Sequence, residues 1–245
     1  MTYFPIGNIG STPITRSDSV NSANPTDIYR IDLTSTSNIN LALTNINGGD
    51  ADLSLYRDTN GDGGLDLGVD QLVPGGSSAR GGNFDDSINV ADQPLGTYFA
   101  RVNLFSGSNV SYRLSMSTAD PSNLLPIEEN LGDLSADISR TGEVGNNDTS
   151  DTYAFSIGYF EGVNINLSGL SSDADIRLIA DTNGNRIVDS GETLLSSTRG
   201  STNSESISLD DAGNYLLQVY QFSGSTNYTL GFDHFSSGLA LAAVG

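Results

Sequence analysis

The chain has 245 residues, with 30 acidic and 10 basic side chains and a formal charge of -20, so phosphate-rich partners are repelled and nucleic acid or an anionic membrane surface is disfavoured as a ligand. Every basic residue is arginine, which removes lysine Schiff-base and amide cross-link chemistry, and the absence of cysteine removes thiolate metal sites, thiol catalysis and disulfides. No apolar run approaches the roughly 20 residues of a membrane-spanning helix, and Met1 to Gly10 lacks the basic and apolar regions of a cleavable signal.

In chain order, the apolar residues Tyr3, Phe4 and Ile6 come first, followed by Asn8-Ile9-Gly10. Tyr29, Ile31 and Leu33 then alternate with Ile28, Arg30 and Asp32, and Ile39, Leu41 and Leu43 fall at every second place, a period that predicts half-buried antiparallel strands. After Asp50-Ala51-Asp52-Leu53 comes an acidic loop starting at Asp58, then the strand signals Gly96-Thr97-Tyr98, Phe105-Ser106-Gly107-Ser108 and Tyr112-x-Leu114.

A segment with Pro121 and Pro126 follows, and the same stations return in the same order. Asn130-Leu131-Gly132 answers Asn8 to Gly10, Asp151 to Phe155 answers Asp27 to Ile31, and Asp173-Ala174-Asp175-Ile176 answers Asp50 to Leu53. Gly213-Asn214-Tyr215, Phe222-Ser223-Gly224-Ser225 and Tyr228-x-Leu230 complete the set. Internal duplication of this kind predicts two like domains, at 1–118 and 127–236, with a linker at 119–126 and an apolar tail at 237–245. Short alternating strands between Gly, Asn, Asp and Ser turns, with almost no helical period, predict an all-β fold: two tandem antiparallel β-sandwich, jelly-roll-like domains.

The loop from Asp181 to Glu192 places oxygen-bearing side chains at its first, third, fifth, ninth and twelfth positions, the spacing of an EF-hand-type loop. A hard cation needs six to eight oxygens around one centre, and a coiled loop aims alternate side chains at it. The expected Ca²⁺ ligands are Asp181, Asn183, Asn185, the Ile187 carbonyl, Asp189 and Glu192. Gly184 at the fourth place and Arg186 at the sixth depart from the helix-flanked pattern, so the loop is expected to join strands. In the first repeat the ligands are Asp58, Asn60, Asp62, the Gly64 carbonyl, Asp66 and, after the inserted Val69, Asp70. A single Asp-x-Asn-Gly segment is also an ordinary Asx turn; two copies at matched positions, each with a delayed acidic residue, favour about one calcium per domain. The upstream pairs Asp50 with Asp52 and Asp173 with Asp175 either add a ligand or stand solvated at a strand end.

Enzymatic signatures are poor. Asp189-Ser190-Gly191 matches an aspartic-protease motif but lies inside the acidic loop and has no second copy. His234 is the single histidine, read as a surface residue, and no Gly-x-Ser-x-Gly elbow accompanies it. The recurring tyrosines read as packing residues, and a chain without tryptophan lacks the usual platforms of a sugar-cleaving cleft.

The Asp-x-Tyr-x-Phe-like strand, the Asp-Ala-Asp-Leu-like strand before the acidic loop, and Gly-x-Tyr followed by Tyr-x-Leu together resemble the bacterial pre-peptidase C-terminal domain in both repeats. That resemblance implies secretion, calcium binding and a non-catalytic role in targeting, adhesion or substrate contact. The expectation is an extracellular or cell-surface structural protein that self-associates through its apolar termini, as a homo-oligomer or filament. The competing expectation is a module that holds matrix polysaccharide or protein for a secreted hydrolase.

Overall fold

The computed structural model describes residues 1–236; the apolar tail expected at 237–245 lies outside the described residues. The described chain divides into two compact units. Unit 1 comprises Met1–Glu128 together with Gly145–Ser150 and Asn185–Val188, and unit 2 takes Glu129–Val144, Asp151–Gly184 and the residues from Asp189 onward.

The strands of unit 1 are β1 (Thr2–Asn8), β2 (Ile14–Asn21), β3 (Thr26–Leu33), β4 (Ser37–Arg57), β5 (Gln71–Ser78), β6 (Asp86–Gln93) and β7 (Gly96–Ser117). Those of unit 2 are β8 (Glu129–Asp133), β9 (Ile138–Val144), β10 (Ser150–Ile157), β11 (Glu161–Ser168), β12 (Asp173–Ile179), β13 (Thr193–Ser197), β14 (Glu205–Leu209), β15 (Gly213–Ser223) and β16 (Thr226–Ser236). The fold is all-β, as the alternating pattern requires, with no helix among the described residues.

Unit 2 has two separate sheets, ordered β13-β12-β15-β10-β8 and β14-β11-β16-β9. Unit 1 shows the same arrangement with two of its strands running through both layers. The second half of β4 and the first half of β7 pair with β5 and β3, while their other halves pair with β6 and β2. The long strands cross between layers where backbones nearly touch: a Cβ on Gly48, at φ +94°, would lie 2.3 Å from the Asn109 carbonyl oxygen. Only glycine fits both that φ and that approach. In unit 2 the same turn is a break, with Gly169 between β11 and β12 and Gly224 between β15 and β16, both at positive φ.

Each unit fills its own core between its layers. In unit 1 the every-second residues Tyr29, Ile31, Ile39, Leu41 and Leu43 are wholly buried, joined by Leu53, Leu55, Tyr98, Leu114 and Met116. In unit 2 the core holds Val163, Ile165, Leu167, Ile176, Leu178, Leu217, Leu230 and Phe232. Strand β1 lies parallel to β3, and β8 lies parallel to β10. Phe4 stacks on Tyr29 with ring centroids 4.7 Å apart, and Ile6 packs on the same core, so the apolar N-terminal residues are used within their own unit.

The tyrosines expected to be packing residues also form a polar chain. The Tyr29 and Tyr112 hydroxyls lie 2.7 Å apart, and Tyr112 donates to Asp27 Oδ2 at 2.7 Å in a fully buried setting. Unit 2 repeats it with Tyr153, Tyr228 and Asp151. Burial pushes the Tyr112 and Tyr228 hydroxyls far above their usual range, so both stay protonated and donate to the carboxylate. Burial also raises the Asp151 carboxyl, to about 6, against the opposing hydrogen bond from Tyr228.

Candidate metal centres

Both acidic loops join strands, as expected: one connects β4 to β5 and the other β12 to β13. Each is wired by its own carboxylates. In the first loop Asp58 starts the coil, accepting from Gly61 N–H at 2.6 Å and Gly63 N–H at 3.0 Å. The Asn60 side-chain amide donates to Asp62 and Asp66, both at 3.1 Å, and so draws those carboxylates together. Asp62 accepts from Gly64 N–H at 2.9 Å, and that bond is the main reason its carboxyl sits below the ordinary range. Asp70 closes the loop: its two oxygens take Thr59 N–H at 3.0 Å and Asp66 N–H at 2.8 Å.

The second loop repeats the closure with another side chain. Glu192 takes Thr182 N–H at 2.9 Å on one oxygen and Asp189 N–H at 3.0 Å on the other. The Asn183 amide donates to Asp189 at 2.8 Å, as Asn60 does to Asp66. Asn185 accepts from the Ile187 N–H at 2.8 Å, which turns the chain at the loop's middle. Asp181 opens this loop at the position of Asp58. The Asp189-Ser190-Gly191 motif is part of this hydrogen-bonded coil, since Glu192 N–H returns to the Asp189 carbonyl at 3.2 Å.

The donor set suits a hard cation. Among the side chains that sequence spacing selects there are only carboxylates and amides, and the closing residues Asp70 and Glu192 are buried, at 6% and 5% exposure. In each loop an asparagine amide donates to the ninth-position carboxylate, and turning it over would present oxygen there in place of N–H. The loops are not contracted into a chelating set: among the described residues, no three carboxylates of either loop have oxygens all within 4.8 Å of one another.

Sequence spacing passed over a second acidic station. Ser77-Ser78-Ala79-Arg80-Gly81 recurs as Ser196-Ser197-Thr198-Arg199-Gly200, and each run is followed by an acid six residues after the arginine, Asp86 and Glu205. Asp86 accepts from Ser78 Oγ at 2.6 Å and Arg80 N–H at 2.9 Å; Glu205 accepts from Ser197 Oγ and Arg199 N–H. Both acids are wholly buried. The upstream pairs are also less open than a solvated strand end, with Asp50 and Asp175 each 4% exposed. His234, expected at the surface, stands largely covered on β16, its Nε2 3.6 Å from Glu161 Oε1.

No curated protein matches the chain. Among solved structures, similarity is found to the pre-peptidase C-terminal domain of collagenase from Bacillus anthracis, at 20% identity and TM-score 0.37, covering 47% of this chain and 94% of that one. Similarity also extends to PliG, a periplasmic inhibitor of g-type lysozyme from Aeromonas hydrophila, at 17% identity and TM-score 0.31, covering 47% and 95%. The family model described as the bacterial pre-peptidase C-terminal domain matches residues 25–104, from the residue before β3 into β7 and across the first acidic loop. This stretch of unit 1 is therefore similar to the bacterial pre-peptidase C-terminal domain.

Proposed function

We propose that the chain is a secreted, non-catalytic protein whose two sandwiches are stabilised by calcium at the loops Asp58–Asp70 and Asp181–Glu192. The observation that carries this reading is the shared wiring of the loops: a buried terminal carboxylate receives two backbone N–H groups, and an asparagine amide donates to the ninth-position acid. Bound calcium would neutralise the loop carboxylates and hold the ends of β4 and β5, and of β12 and β13, at fixed spacing. Asp58, Asn60, Asp62 and Asp66 would hold it in one loop, and Asp181, Asn183 and Asp189 in the other. Millimolar external calcium suits the affinities of about 10⁻⁴ to 10⁻³ M of extracellular modules. The similarity of unit 1 to the pre-peptidase C-terminal domain supports the same extracellular, accessory setting.

The test is calorimetric titration of the full chain with calcium, comparing wild type with Asp58→Asn/Asp181→Asn. The variant is expected to bind at least tenfold more weakly; identical isotherms would refute loop binding.

Self-association is the second reading, favoured by the end strands of two sheets. Strands β5 and β13 end their sheets and carry the exposed leucines Leu72, Leu194 and Leu195. An exposed apolar edge is a template for pairing with another chain. Sedimentation at high protein concentration tests it: assemblies that dissolve in Leu72→Lys/Leu195→Lys support edge pairing, and a monomer at every concentration excludes it. Retention on matrix polysaccharide by that monomer would favour the binding-module alternative.

A further inference from the structure

Strand β4 has a bulge between Asp50 and Ala51, and β12 has one between Asp173 and Ala174. Ala51 and Ala174 are wholly buried in the two cores, and an aspartate flanks each on either side: Asp50 and Asp52, Asp173 and Asp175. The third acid comes from the start of the neighbouring layer's edge strand, Asp86 on β6 and Glu205 on β14, each held by the serine that ends the preceding strand. Every position of this trio is acidic in both units, although Asp86 becomes Glu205.

The trios leave buried oxygens without partners. Asp50 is 4% exposed and its Oδ1 has no hydrogen bond; Asp86 is wholly buried, and while Oδ1 takes Ser78 and Arg80, Oδ2 has none. In unit 2, Asp173 Oδ2 receives Ser201 N–H at 2.8 Å, and its buried Oδ1 has no partner. A carboxylate oxygen withdrawn from water without a donor costs several kcal/mol in general and calls for a ligand, water or ion, to explain it.

The sheet register brings the third acid beside the other two. Ser78, which donates to Asp86, is paired with Leu53, the neighbour of Asp52. Ser197, which donates to Glu205, is paired with Ile176, the neighbour of Asp175. The oxygens of a trio do not all come within 4.8 Å of one another. Like charges resist that approach, and a cation removes the resistance.

We propose that each unit binds a second divalent cation at its strand bulge, through Asp50, Asp52 and Asp86 in unit 1 and through Asp173, Asp175 and Glu205 in unit 2. An all-carboxylate donor set selects a hard ion, so calcium is the probe. The inference stands on residues outside the two acidic loops and does not depend on loop binding.

Calcium bound per full-length chain is counted by equilibrium dialysis at pH 7.5 for wild type and two variants. The bulge variant carries Asp50→Asn, Asp86→Asn, Asp173→Asn and Glu205→Gln, and the loop variant carries Asp58→Asn, Asp66→Asn, Asp181→Asn and Asp189→Asn. The expected result is one fewer calcium per unit in the bulge variant, with the bulge sites retained in the loop variant. Equal counts in the bulge variant and wild type would overturn the inference and leave loop binding standing. An unchanged count in the loop variant would instead remove the loop sites. Should the fourfold bulge variant fail to fold, Asp50→Asn/Asp173→Asn, which keeps both serine–carboxylate pairs, decides by the same count.

Discussion

Asp70 and Glu192 perform one task with side chains of different length. Each accepts the N–H of the threonine that follows its loop's first acid, Thr59 or Thr182, and the N–H of the ninth-position acid, Asp66 or Asp189. The first loop spends one more residue, Val69, before its closing acid, and that acid is one methylene shorter. The inserted residue and the shorter side chain compensate, so the same two donors are reached.

Replacing Glu192 with Gln puts a side-chain N–H where an acceptor is needed, beside two backbone donors. Losing a charge-assisted bond of this kind costs about 1.5–3 kcal/mol. Urea unfolding of Glu192→Gln should show that loss, with a smaller one in Glu192→Asp. Unchanged midpoints would mean the closing carboxylate does not hold the loop.

Tyr228→Phe removes the hydroxyl that reaches Asp151 and leaves a part-buried carboxyl short of a donor. The expected loss is about 1–3 kcal/mol, and in combination with Asp151→Asn the two changes should be markedly non-additive. Simple additivity in the double variant would show that the pair does not act as a unit.

Gly142 is the neighbour of that tyrosine on β9: a Cβ there would stand 2.3 Å from the Tyr228 hydroxyl oxygen. Gly142→Ala must therefore displace the ring or the strand, and a loss of about 1–3 kcal/mol is expected in chemical denaturation. Gly10→Ala, with nothing within 4 Å, serves as the control.

Acid should stabilise the calcium-free protein. Asp86, Asp151 and Asp175 sit at about 6 in the fold, above the ordinary carboxylate value of 3.8, chiefly because they are buried. A raised folded value favours the protonated form in the fold, so this contribution is complete below the unfolded value and lost as pH rises through about 6. Asp62, held low by its Gly64 hydrogen bond, acts in the opposite sense, and its contribution is lost only as pH falls below the ordinary range. Thermal melts in chelator should rise from pH 7.5 to 5; a flat or falling trend would show that these three acids are not strained by burial.

The layers, the core and the loops were legible in the sequence because period-two alternation and repeated turn chemistry are local signals. Tyr29, Ile31 and Leu33 line the core as their spacing requires, and both acidic loops join strands. The tyrosine chain was not legible, because Tyr29 and Tyr112 meet across 83 positions of sequence. A tyrosine that packs and a tyrosine that packs and donates have the same alternation. The trio acids Asp86 and Glu205 had a signal, the repeated Ser-Ser-x-Arg-Gly run, obscured because the acid after it changes length and lies at a strand start. Burial of Asp50 and Asp175 reflects bulges and neighbouring strands that spacing along one strand does not encode.

Heating the full chain at pH 7.5 in millimolar calcium and again in excess chelator tests most directly whether divalent ions brace these sandwiches. Against dissociation constants of about 10⁻⁴ to 10⁻³ M, millimolar calcium adds about 0.4–1.4 kcal/mol per site, so it should raise the midpoint by about 2–6 °C. Superimposable melting curves would contradict the account.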